Sequence, residues 1–185
     1  MQILYRVRQT WNIVTAIPEK DAIDQVSKIL SSDLMSLFLC LQPGEQAHSF
    51  WVYNQLRQSG ETNHDLLVAA LLHDVGKSLH PLRLWERIVI VLGKTLPPQG
   101  VKAWGQGEPH GFLRPFVISE KHADWGADMA AQAGASQLTV SIIRRHQEPQ
   151  NNKPNEQSGG NPGVNSNHLM ERQLLHRLQR ADNKS

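Results

Sequence analysis

The chain has 185 residues, 19 basic and 17 acidic side chains for a net charge of +2, and 39% hydrophobic against 19% charged residues. Those values suit one globular domain with a substantial core and argue against a disordered chain. The near-balanced charge is too weak for a dedicated nucleic-acid binder, yet it admits a small anionic substrate if cations gather at a pocket.

The single cysteine, Cys40, cannot form an internal disulfide, and its neighbours Leu39 and Leu41 suggest a small buried hydrophobe in a reducing compartment. The N-terminus lacks a sustained apolar stretch after its basic residues, and no segment reaches the roughly 18–20 uninterrupted apolar residues of a membrane span. The expectation is a soluble, cytoplasmic protein without a membrane span.

Residues 1–16 read as either helix or short strand. Asp21, Ala22, Val26, Ile29 and Leu30 recur at three and four, the period of an amphipathic helix. Ser31-Ser32-Asp33 offers a cap for a second helix with Leu34, Leu37, Phe38 and Leu41 on its stripe. After Pro43-Gly44, a helix over 45–56 carries His48, Trp51, Val52 and Leu56 on one face and stops at Ser59-Gly60. Asn63 or Asp65 can cap the apolar run Leu66–Leu72, which closes on His73-Asp74, with Gly76 placed to terminate the helix.

Pro81 opens a helix over 82–92, read as core-packing with a membrane-surface helix as its alternative. Residues 93–118 hold nine Gly and Pro residues and lie before the next helix, as a loop or lid would. A helix over 120–133 carries His122 and ends at Gly134; Ser136 caps another over 137–147 that carries His146. Residues 149–167 are polar and rich in Gly, Pro and Asn, which reads as a flexible loop. A last helix over about 167–182 bears Leu169, Leu174, Leu175 and Leu178. No strand-period alternation and no internal repeat is visible. The fold class is therefore all-α, a single-domain helical bundle, with residues 1–42 as a helical segment packing on a domain formed by 43–185.

The chemistry concentrates at His73-Asp74. A His-Asp doublet ending an apolar helix is either a paired polar core or part of a metal site, because charged groups are rarely buried alone. The motif Leu71-Leu72-His73-Asp74-Val75-Gly76-Lys77 resembles the signature of the HD superfamily of metal-dependent phosphohydrolases, in the branch whose doublet is followed by Ile or Val, Gly and Lys. That family orders an isolated His, the doublet and a distant Asp, which match His48, His73-Asp74 and Asp182; its two-metal members add two His, which match His122 and His146.

The resemblance implies a bundle of the HD-domain type and a divalent cofactor, Mn, Fe, Zn, Ni or Mg, as one or two ions. It implies His48, His73, Asp74, His122, His146 and Asp182 as metal ligands, Asp74 as the bridge between two ions, and Lys77 beside Asp74 in the catalytic machinery as a phosphate contact. A carboxylate can bridge two ions, and such a pair activates water for in-line attack on phosphorus. Arg114 in the lid and Arg145 beside His146 are further candidates for phosphate contacts, and His80 and His110 for the pocket wall; His64, His168 and His176 read as surface or cap residues.

The cyclic-dinucleotide branch follows its paired His with a Gly-Tyr-Pro element. Here His146-Gln147 is followed by Glu148-Pro149-Gln150, so that activity matches poorly. The expected function is hydrolysis of a phosphomonoester or phosphodiester in a small phosphorylated molecule, a nucleotide foremost. The alternative is a non-catalytic module of the same fold that senses a nucleotide or binds a partner protein.

Overall fold

The computed structural model describes residues 20–93, 103–149 and 162–184. Among the described residues the regular structure is entirely helical: α1 (Lys20–Ser27), α2 (Ser32–Cys40), α3 (Pro43–Gln58), α4 (His64–Leu72), a 3₁₀ turn (Val75–Leu79), α5 (Leu84–Gly93), a second 3₁₀ turn (Gly111–Leu113), α6 (Arg114–Gln132), α7 (Gln137–Arg145) and α8 (Pro162–Asp182). The expectations for residues 1–16 and for most of the 149–167 loop lie outside the described residues.

Helix α4 is the hub. Every residue from Leu66 to Leu72 is buried, and Leu66, Ala69, Ala70, Leu71 and Leu72 are fully excluded from solvent. Truncating one such leucine to alanine costs about 2–5 kcal/mol through lost transfer energy and the cavity left behind. Asn63 caps the helix by accepting the Leu66 N–H at 3.0 Å. Helices α3, α7 and α8 pack on α4, and Val52, Ile142, Ile143, Leu174, Leu175 and Leu178 complete the same core. Val26, Leu30 and Phe38 join it from the N-terminal side. Gly60 and Gly134, both at positive φ (85° and 83°), reverse the chain after α3 and α6, a backbone state glycine adopts without a steric penalty.

Several boundaries differ from the sequence reading, each for a local reason. Cys40 is exposed, because the inward stripe of α2 runs Leu34–Phe38–Leu41 and leaves Leu39 and Cys40 facing out. Helix α6 begins at Arg114, six residues before the expected start, so the last part of the anticipated lid is helix; Pro115 sits in its first turn, where its missing N–H has no helical role. Helix α8 starts at Pro162, inside the segment expected to be loop, and Leu169 on its first half is exposed.

Gly76 does not terminate α4. That helix ends at Leu72, and Gly76 lies buried within the 3₁₀ turn. Its role is close approach: a Cβ there would stand 2.0 Å from the His122 carbonyl oxygen and 2.7 Å from the Gly126 nitrogen. Gly126 is matched to it, since its own Cβ would lie 3.0 Å from the Gly76 nitrogen. Two facing glycines thus bring the backbone of α6 against the turn that follows the His-Asp doublet.

Candidate metal centre

The helices converge on Asp74. His48 comes from α3, His73 from the end of α4, His122 from α6, His146 from the end of α7 and Asp182 from the end of α8. The carboxylate of Asp74 is 6% exposed and its two oxygens face different neighbours. Oδ2 lies 3.9 Å from His48 Nε2 and 3.7 Å from His73 Nε2, while Oδ1 lies 3.2 Å from His122 Nε2. Asp182 Oδ1 reaches the first pair, 3.0 Å from His48 Nε2 and 3.7 Å from His73 Nε2. The His146 ring packs edge-on near both His73 and His122, with centroids 5.2 Å apart in each case.

Three of the imidazoles are oriented by their own helices. His73 Nδ1 is 3.0 Å from Ala70 O, His122 Nδ1 is 3.0 Å from Ile118 O, and His146 Nδ1 is 2.6 Å from Ile143 O. A carbonyl only accepts, so each Nδ1 carries the proton and donates. In the neutral ring each Nε2 is then a bare lone pair aimed inward, the tautomer and orientation of a metal-ligating histidine.

The electrostatics separate these rings. Burial disfavours the charged form of His73, yet the adjacent carboxylates of Asp74 and Asp182 outweigh it and raise its pKa to about 9. His146 goes the other way: burial, together with the proximity of His73 and His122, lowers its pKa to about 3. Burial would raise the Asp74 carboxyl, but Lys77, His73 and His122 hold it well below the usual range. Asp182 is likewise lowered, against burial, by His48 and His73. Both carboxylates are therefore anionic at neutral pH.

The donor set fits a divalent metal. Nε2 of His73 and Nε2 of His122 are buried without a hydrogen-bond partner, an expensive arrangement that a cation between them would relieve by accepting their lone pairs. One candidate group is His48, His73 and Asp74, the other Asp74, His122 and His146, with the ligand atoms of each within 4.8 Å of one another. Mixed imidazole and carboxylate donors suit borderline and hard divalent ions.

Lys77 faces the same carboxylate, its Nζ 2.6 Å from Asp74 Oδ2. A cleft of about 720 Å³ opens over the cluster, and His48, Asp74, Lys77, His146 and Asp182 all border it. Arg114 and Arg145, the expected phosphate contacts, are placed elsewhere. Arg114 pairs with buried Glu86 and donates to Pro81 O, so it clamps α5 to α6. Arg145 is held by Glu148 and Glu171, and neither Arg114 nor Arg145 borders the cleft. His80 packs on Trp125 and His110 is exposed; they too lie outside the lining.

Arg144, which the sequence pairs with Arg145 as a phosphate-attracting dipeptide or a solvated helix face, is the one of the two that borders the cleft, and it is tied to Asp124 (3.2 Å) and Asp128 (2.7 Å) on α6. The structure also adds a residue that the sequence reading passes over. Gln179 donates its Nε2 to His146 O (3.0 Å) and Glu148 O (2.8 Å), which fixes the end of α7 against α8. Its signal in the sequence is slight: it stands one helical turn before Asp182, on the same face.

A family model of the HD domain matches residues 46–183. The chain belongs to the HD domain family. The matched span contains all six metal-ligand candidates, from His48 to Asp182. Comparisons with curated proteins and with solved structures gave no match. No helix among the described residues is long and apolar enough to cross a membrane.

Proposed function

We propose that this protein is a metal-dependent phosphohydrolase that cleaves a phosphomonoester or phosphodiester, with a nucleotide as the foremost class of substrate. The observation that carries this reading is the division of Asp74: one oxygen toward His48 and His73, the other toward His122, with buried Nε2 atoms that have no hydrogen-bond partner on both sides. That is the donor arrangement of a carboxylate shared between two ions. His48, His73, Asp74 and Asp182 would hold one ion and Asp74, His122 and His146 a second. A divalent ion bound there supplies a Lewis acid for phosphoryl oxygens and a bound water of lowered pKa.

The chain's own residues do the rest. Burial of Asp74 and its imidazoles fixes their geometry before substrate arrives, so little reorganisation remains for the transition state. Lys77, cationic and bordering the cleft, is the group in reach of a non-bridging phosphate oxygen once Asp74 engages metal instead of the ammonium. Arg144 on the cleft wall is a second cation, restrained by its two aspartates. Ile90, Phe116 and Ala123 give the same cleft an apolar wall against which a base or other uncharged leaving group would rest.

The test is elemental analysis of purified protein together with turnover on a panel of nucleotide mono- and diesters with Mn²⁺ supplied. Stoichiometric metal with phosphate release supports the reading. Stabilisation by nucleotide without any turnover, with metal confirmed bound, would instead assign the protein to the non-catalytic sensing modules.

A further inference from the structure

A second cleft, of about 350 Å³, lies between the C-terminal end of α3 and the last turns of α8, bordered by Gln55, Ser59, Glu61, Arg177, Arg180 and Lys184. The three cations recur at intervals of three and four, and the turn after α8 continues the helical path through Lys184, whose N–H reaches Ala181 O at 3.2 Å. They therefore share one side of the helix, where like charges at this spacing repel.

Among the described residues, the one carboxylate bordering this cleft cannot neutralise all three. Glu61 is buried, its Oε1 accepts the N–H groups of Thr62 and Asn63 at 2.9 Å each, and its Oε2 accepts from Arg177 Nη1 at 2.6 Å. Arg180 and Lys184 have no ion-pair partner among the described residues. The pair with Glu61 also fixes the Arg177 guanidinium and leaves its remaining N–H groups open, as bidentate recognition of an oxyanion requires. The contrast with the metal cleft is plain, since Glu120, Asp124 and Glu148 border that one.

We propose that the cleft between α3 and α8 is a second anion site, which takes the phosphate group of a small molecule on Arg177, Arg180 and Lys184. This site stands independently of the metal centre and of the reaction assigned to it. A phosphate there relieves the repulsion among three cations and gains charge-assisted hydrogen bonds from at least one preorganised fork.

The experiment is an amide chemical-shift titration of the full-length ¹⁵N-labelled protein, as purified. The probes are inorganic phosphate and, in parallel, an ADP analogue whose phosphates are joined by a methylene bridge. The expected result is saturable shifts at Gly60, Glu61, Ala181 and Lys184, weakened at least about tenfold in the Arg180→Gln/Lys184→Gln double variant, while shifts around His122 and His146 are unchanged. Equal affinity for the two probes assigns the site to the phosphate group itself, and tighter binding of the analogue assigns it to a nucleotide; both support the proposal. Absence of saturable shifts at those four amides up to about 10 mM of either probe, or identical shifts in the double variant, overturns it.

Discussion

The two sides of Asp74 are built differently. On one side, His122 and His146 are both buried, both anchored through Nδ1 to carbonyls of their own helices, and carried by α6 and α7, which pack on each other. On the other side only His73 is anchored that way. His48 Nδ1 is buried without a hydrogen-bond partner, and the set is closed by Asp182, 34% exposed on the last residue of α8. The first side is held by backbone; the second is completed by a side chain at a helix end. Preorganisation is therefore unequal, and the His48/His73/Asp182 side is the one expected to exchange its ion more readily.

The largest effects come from abolishing the division itself. Asp74→Asn keeps the shape but removes the shared charge, so bound metal should fall on both sides and turnover should drop by about 10³-fold. Elemental analysis beside the activity assay checks this, and unchanged metal content would show that Asp74 bridges nothing. Gly76→Ala attacks the same centre through the backbone. Its Cβ would overlap the His122 carbonyl at 2.0 Å, so α6 must move away from the doublet. Overpacking of this kind costs about 1–3 kcal/mol, and thermal melting should register it together with weaker metal binding on the His122/His146 side.

Asp182→Asn should sharpen the comparison. It lies at a helix end, so the melting temperature of the metal-free protein should change little, whereas affinity for one ion should fall by about 10–100-fold or more. A calorimetric titration that resolves two ions would lose its weaker step and keep the tighter one. Equal weakening of both steps would mean that the two sides act as one unit.

Proton and metal compete for the same nitrogens, and the two sides respond to pH with opposite sign. His73, raised from the ordinary 6.5 to about 9, contributes stability to the metal-free protein that is complete below 6.5 and is lost as pH rises through 9. His146, lowered to about 3, contributes stability that is complete above 6.5 and is lost as pH falls toward 3, where the lowered carboxyls of Asp74 and Asp182 add to the loss. The melting temperature of metal-free protein should accordingly peak near neutrality. His73→Gln should flatten the alkaline limb, and, because His73 also helps to lower His146, Asp74 and Asp182, it should reshape the acid limb as well.

How much of this is legible in the sequence differs from element to element. The helix set and the caps at Asn63 and Ser136 follow from three-four periodicity and capping residues, whereas the grouping of His48, His73, Asp74, His122, His146 and Asp182 is legible only through the resemblance to the HD-family motif order. The early start of α6 is hidden because Gly and Pro dominate residues 93–118, although a proline in a first helical turn is favoured. Arg114 and Arg145 are legible as cations, but their engagement by carboxylates is not: their partners Glu86 and Glu171 are 28 and 26 residues away, and only tertiary packing brings them together. Gly76 looks like a helix stop, since nothing in one sequence says that another backbone must pass within contact of it.

The smallest predicted effect concerns the link between the two sides. Gln179 stands on α8, which carries Asp182, and donates to the carbonyls of His146 and Glu148 at the end of α7. Through it the helix that closes one side holds the loop that presents the other. Gln179→Leu keeps much of the buried volume and removes both donors. Each lost bond is worth about 0.5–1.5 kcal/mol, and the two carbonyls can turn partly toward the cleft's water, so metal affinity on the His122/His146 side should weaken by about two- to tenfold. A purely structural role would lower the melting temperature and leave the affinity of folded protein unchanged. A positioning role shifts metal affinity while the melting temperature of metal-free protein moves little, and Gln179→Glu, which keeps the size but supplies no amide donor, should not rescue it.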